Sequence, residues 1–142
     1  MRARQSGQTL IMFAITMTFM FLSLIALVGD ADTLMGRYNQ VNSEALLGAQ
    51  AGATAIDEGA FYRGDHRLDP ALAKQRCESI PLAGGTPQTH QVHCNFNDPN
   101  TVTATVSWDV SLPIPLFAST TATVRSTRTG QAVFGGLQVV GP

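Results

Sequence analysis

Over its first thirty positions the chain shows no period of hydrophobic and polar residues, because almost nothing there is polar. From Gln5 to Gly29 no side chain is charged, a run of roughly 25 residues where a helix needs about 20 to cross the hydrocarbon core of a bilayer. Leu10, Phe13, Met17, Phe21, Leu24 and Leu27 supply bulk along this run, and Phe19 and Met20 fill what would be the wet face of a soluble amphipathic helix. Thr9, Thr16, Thr18 and Ser23 interrupt it at moderate cost, since a helical hydroxyl can bond back to a carbonyl one turn earlier. The run is longer than the ~7–15 apolar residues of a signal peptide, and Ala26-Leu27-Val28 before Asp30 is a poor cleavage site. Among a retained anchor, a removed signal and a soluble core helix, these length rules favour the anchor.

Beyond the span the pattern changes but the helix signal does not stop. Ala31 to Gly59 contains no proline and is rich in Ala, Leu, Gln and Glu. Leu34, Tyr38, Val41, Ala45, Ala49, Gly52 and Ile56 recur at three- and four-residue steps and predict one buried face. The expected element is a single helix from Thr9 to Glu58, with Gly59 as C-cap, about 75 Å long. Ala45, Ala49 and Ala53 form one row of small residues and Gly48 and Gly52 the next. Such rows let another backbone approach closely; a seat for the chain's own sheet and a contact between subunits are both open.

The remainder reads as loops and strands. Asp69 before Pro70 predicts a short helix through Arg76, leading into Cys77. Gln91–Phe96 alternates with Val92, Cys94 and Phe96 on one side. The clearest alternation is Thr101–Leu112, with Val102, Ala104, Val106, Trp108, Val110 and Leu112 on one face and hydroxylated or acidic residues on the other. Asn97–Asn100 is the turn of a hairpin between these strands, and Pro113 and Pro115 end the second. A further strand is expected at Ser119–Thr129 and another within Gln131–Val140. The expected fold is α+β: a long N-terminal hydrophobic helix whose outer half packs on a C-terminal antiparallel sheet of three to four strands. The chain divides into a short N-terminus at 1–8, a transmembrane or core helix segment at 9–29, its outer continuation at 30–59 and a loop-rich β domain at 60–142.

Charge sets the orientation. Arg2 and Arg4 precede the span and Asp30 and Asp32 follow it, so the positive-inside rule places the N-terminus in the cytoplasm and the rest outside. Net charge is −1, which leaves no basic field for nucleic acid. Only 13% of residues are charged, against the ~25% usual in soluble domains, which suits an extracytoplasmic surface. In that oxidising setting the two cysteines, Cys77 and Cys94, are expected to form a disulfide.

The segment Gly7-Gln8-Thr9-Leu10-Ile11-Met12-Phe13-Ala14, followed by Asp32, Arg37, Gln40 and the small-residue run Ala45–Ala55, resembles the N-terminal module of the TadE/TadG-like pilus-assembly family. The Leu112-Pro113-Ile114-Pro115 turn is also similar to such proteins. The resemblance implies a pilin-like fold and a structural role in a tight-adherence, type IV-like pilus. It implies membrane lipid, other copies or other pilin-like subunits, and the assembly machinery as partners. It marks Gly7 and Gln8 as a candidate processing site. Two positions depart from the pattern: Met12 stands where processed pilins carry glutamate, and Asn42, Ser43 and Glu44 replace aspartate and alanines. The alternatives are an assembly factor that stays in the membrane and an anchored adhesin or sensor using the loops around Cys77 and Cys94.

Candidate chemistry is sparse. His90 and His93 stand near Cys94, but their spacing places them on opposite faces of a strand and suits exposed loop-edge histidines better than metal ligands. Asp30 and Asp32 diverge on a helix and read as boundary charges. Arg63-Gly64-Asp65 reads as loop. The chain carries no GxSxG, P-loop or HExxH motif, and no enzyme, metal or cofactor is expected.

Overall fold

The computed structural model describes residues 3–112 and 120–133, apart from the side chains of residues 3–6 and Asn97. One helix, α1 (Ala3–Ala53), is followed by α2 (Glu58–Phe61), α3 (Pro70–Glu78) and three strands, β1 (His90–Asp98), β2 (Thr101–Ser111) and β3 (Thr121–Gln131). The strands form an antiparallel meander in the order β1-β2-β3, and the outer half of α1 lies across it. This is the expected α+β architecture. The expected residues 113–119 of the proline turn, and the fourth strand beyond Val133, lie outside the described residues.

The hydroxyls of the apolar half behave as the helix demands. Thr16, Thr18 and Ser23 donate to the carbonyls of Met12, Ala14 and Phe19, each at 2.9 Å. Each hydroxyl thereby satisfies itself within the helix.

The helix ends earlier than its composition suggests. α1 stops at Ala53 rather than Glu58, and Gly59 sits inside α2 instead of capping α1. Two local interactions win over propensity. Thr54 Oγ1 donates back to Ala51 O at 2.7 Å, and Asp57 serves as the N-cap of α2, accepting from the Ala60 amide at 3.0 Å. Between them Ala55 is fully buried and Ile56 bridges Leu68, which returns the chain toward the sheet. Arg67 pairs with Asp57 at 3.1 Å. The Ala60 amide first, then Arg67, hold the Asp57 carboxyl below its ordinary value of 3.8.

α3 forms as its cap predicts: Asp69 accepts from the amides of Ala71 and Leu72 at 2.9 and 3.1 Å, with Pro70 opening the helix. Arg76 ties it back to α1 through the Thr54 carbonyl at 3.1 Å. Cys77 of α3 and Cys94 of β1 are both buried and disulfide-bonded, their Cα atoms 6.3 Å apart across 17 positions. A loop of that size removes about 3 kcal/mol of entropy from the unfolded chain.

The inward face of the sheet is read off β2. Val102, Ala104, Val106, Trp108 and Val110 are all buried, and their neighbours in register are Phe96, Cys94, Val92 and His90 on β1. Against them α1 presents Val41, Ala45, Ala49 and Gly52, with Leu34 half-buried; Ile56, past the end of α1, is half-buried as well. Tyr38 departs from the expected stripe and is exposed; its neighbour Arg37 is the side chain that reaches β2, lying over Trp108.

The small-residue rows are filled by the chain itself. A Cβ on Gly48 would stand 3.3 Å from Ala104 Cβ, and one on Gly52 only 2.9 Å from Val102 Cγ1. From the other side, a Cβ on Gly130 of β3 would stand 2.4 Å from the Ala49 carbonyl oxygen and 3.3 Å from Ala53 Cβ. Sheet and helix meet nearly backbone to backbone. Asn42 closes the same interface, its Oδ1 accepting from Ser126 Oγ at 3.0 Å and Arg128 Nε at 2.8 Å.

Gly130→Ala and Gly52→Val therefore overpack the seat and are expected to lower stability by about 1–3 kcal/mol. Gly59→Ala, whose nearest neighbour would be an ordinary 3.4 Å contact, should be close to neutral. Denaturant unfolding of the detergent-solubilised chain, followed by the fluorescence of its single tryptophan, checks both. A second expectation concerns acid. The stabilisation from Asp57 is present above pH 3.8 and is lost as pH falls through the lowered value of its carboxyl. Asp57→Asn should remove this acid sensitivity, seen as the pH dependence of proteolysis at the α2 turn.

Candidate functional site

Two regions stand out: the first half of α1, and a buried polar cluster where its second half meets the sheet.

The first half of α1 is uncovered. Leu10 is 71% exposed, and Phe13, Met17, Phe21, Leu24 and Leu27 are all exposed as well. α1 contains a helix long and apolar enough to cross a membrane, by length and composition. Fully burying a side chain of this size is worth about 1.5–3 kcal/mol relative to leaving it wet. A surface carrying so many is compatible with a membrane anchor. Gly7 and Gln8 lie on this exposed rod, with open space around Gly7. At the other end of the apolar run Asp30 is buried and Asp32 exposed, so the two carboxylates do not share a face.

The polar cluster begins with Glu44. It sits on α1 between Val41 and Ala45, on the edge of the small-residue face, and is 5% exposed. Its Oε1 accepts from the Ala83 amide at 3.0 Å and from Gln40 Nε2 at 3.3 Å. Gln40 also donates to the Ala83 carbonyl, so two side chains of α1 hold both backbone polar groups of Ala83, in the loop between α3 and β1. Oε2 of Glu44 stands 2.7 Å from His90 Nε2, and neither atom has another hydrogen-bond partner. The other ring nitrogen of His90, Nδ1, lies 2.9 Å from the Gly84 carbonyl.

Trp108 roofs the cluster. It stacks on His90 with ring centroids 4.3 Å apart and planes 9° from parallel, and Arg37 lies 4.4 Å from its centroid. That cation contact is worth about 0.5–1 kcal/mol near a surface. The loop reaches this position through Gly84 and Gly85, at φ +86° and +77°. Left-handed backbone favours glycine here, and a Cβ on Gly85 would also strike His90 Cβ at 2.7 Å.

His90 was expected at an exposed loop edge with His93. His93 is exposed, but His90 is 2% exposed and inside the protein. The reason is the strand's period: β1 starts at His90 rather than Gln91, which puts His90 on the inward face with Val92, Cys94 and Phe96. Its partner Glu44 was marked only as a departure from an alanine-rich pattern. An acidic residue on a helix face otherwise made of Val, Ala and Gly was the available signal. Arg37 and Gln40, two of the residues that carry the family resemblance, belong to the same cluster. Arg63-Gly64-Asp65 lies on an exposed turn after α2, where Asp65 pairs with Arg67 at 3.6 Å.

The chain matches no protein-family model, no curated protein and no solved structure.

Glu44→Ala removes the acceptor of the Ala83 amide and leaves His90 Nε2 buried with nothing facing it, and is expected to cost about 1–3 kcal/mol. It should also release the loop between α3 and β1, read as new protease cleavage within residues 80–89.

Proposed function

We propose that this chain is a structural pilin-like subunit, or a minor component, of a Tad/type IV-like pilus, anchored and assembled through its N-terminal helix. The observation that carries the reading is that one continuous helix has two differently finished halves. The first is apolar, free of charge and uncovered; the second is seated on its own sheet through small residues. Such a rod holds a folded outer domain at a set distance from whatever covers its first half. In the membrane that cover is lipid, with Arg2 and Arg4 on the cytoplasmic side. In a filament the same surface packs on neighbouring helices in a central bundle. The threonines and serines that bond back to their own helix suit either setting. The Cys77–Cys94 disulfide and the hydroxyl-rich outer face of β2 and β3 suit a domain outside the cell.

Met12 favours a second reading. A processed pilin carries a carboxylate five positions beyond its glycine, and here that position is a thioether. A component that remains in the membrane as an assembly factor needs no such carboxylate. An anchored adhesin or sensor is a third possibility, without an observation of its own in favour.

Shearing surface appendages from cells that produce the protein, then identifying their subunits by mass spectrometry, tests the proposal. The expected result is this chain in the filament fraction. Its confinement to the membrane fraction would favour the assembly factor, and an intact mass at the N-terminus would report whether the chain is cut after Gly7.

A further inference from the structure

The proton count of the Glu44–His90 pair is fixed by what surrounds it. A peptide carbonyl can only accept a hydrogen bond, so at 2.9 Å from the Gly84 oxygen the Nδ1 of His90 must carry a proton. Its Nε2 faces a carboxylate oxygen at 2.7 Å, and that contact also needs a proton. Both atoms of the second contact are buried and have no other partner, so no alternative bond relieves them. Both nitrogens thus face oxygen acceptors, and the pair is complete only with two protons. Imidazole is the more basic of the two kinds of side chain, which makes the complete pair an imidazolium beside a carboxylate.

We infer that Glu44 and His90 form a proton-dependent latch that holds the loop between α3 and β1 against α1 and Trp108. When the second proton leaves, Nε2 and Oε2 become two bare acceptors facing each other at 2.7 Å in a buried site, an arrangement that costs free energy on both atoms. Among the described residues, α1 and the sheet are held against each other at Ala49, Gly52 and Gly130, so the loop is the side of the cluster that moves. The carboxylate that meets His90 also holds the Ala83 amide, so loss of the proton and release of the loop are coupled. The same loop walls a groove of about 520 Å³, lined by Glu78, Leu82, Gln91 and His93, which opens as the loop leaves.

The sign follows from the proton balance. The docked loop binds one proton more than an undocked loop holds above the ordinary titration of imidazole. Docking is therefore favoured as pH falls and weakened as pH rises. Other ionisable groups face the cluster: Arg37 from α1 over Trp108, Glu78 from α3, and His93 from β1 along the groove. The loop itself contributes none between Pro81 and Thr89. The latch stands on these contacts alone and does not depend on the pilus reading.

The discriminating variant is Glu44→Gln. An amide keeps an oxygen for the Ala83 amide and offers N–H to a bare Nε2, so the pair is complete with a neutral imidazole. Hydrogen exchange of residues 80–89 in the full-length, detergent-solubilised protein, corrected for intrinsic exchange, is measured from pH 5 to 9. In the unsubstituted chain, protection is expected to fall with rising pH, by up to about tenfold per pH unit, across the range in which the undocked loop has lost the proton and the docked loop still holds it. In Glu44→Gln it should stay flat, with Arg37, Glu78 and His93 unchanged. Flat protection in the unsubstituted chain, or the same fall in Glu44→Gln, would overturn the latch. If Glu44→Gln does not fold, nitrogen chemical shifts of the ring decide instead. The chain has three histidines, and His90 is assigned by its loss in His90→Gln. Two protonated nitrogens on His90 at pH 6 are expected; a singly protonated ring there contradicts the inference.

Discussion

The constraint from which everything else follows is that a single unbroken helix must satisfy two surroundings. Residues up to about position 29 expose large apolar side chains all round, and residues from Val41 onward bury small ones against a sheet. No proline or break separates the halves. The outer domain cannot choose its position independently of the apolar half, because they share one backbone ladder. At ~1.5 Å per residue, the stretch from Ala31 to Ala53 carries the sheet about 35 Å along the axis.

The seat of the sheet is made by removing side chains rather than adding them. Gly48 and Gly52 on α1 and Gly130 on β3 let the helix and two strands approach until atoms of the backbone are in contact. Such an interface has little apolar bulk to contribute, which is why other bonds surround it. The disulfide joins α3 to β1 on one flank. Asn42 gathers Ser126 and Arg128 on the other. Glu44, Gln40 and His90 close the end near Trp108. Each of these is directional, and together they define a register that a sheet resting on alanine and glycine would otherwise hold loosely.

Long-period features were legible in the sequence and short-range competitions were not. The charge-free run, the strict alternation of β2 and the Asp69-Pro70 cap each rest on one strong signal repeated or locally complete, and the structure has them. The end of α1 was misplaced because Ala-rich composition continues through residue 56, while Thr54 and Asp57 act through single hydrogen bonds that no average over a window registers. Tyr38 matches the spacing of the buried stripe but sits where Arg37 makes the contact with the sheet. His90 and Glu44 lie 46 positions apart in the chain. Nothing local joins them, and only the period of β1, extended by one residue at its start, would have turned the histidine inward.

The account rests on the apolar half of α1 being hidden from water while the half beyond it is not. Both native cysteines are bonded to each other, so single introduced cysteines can be spin-labelled along the helix in the chain reconstituted into bilayers. The decisive measurement is the collision of each label with oxygen and with a water-soluble relaxation agent. Labels at positions 10, 13, 17, 21, 24 and 27 should meet oxygen and escape the aqueous agent, and labels at 46 and 47 should do the reverse. Aqueous accessibility along positions 10–27 would contradict the account.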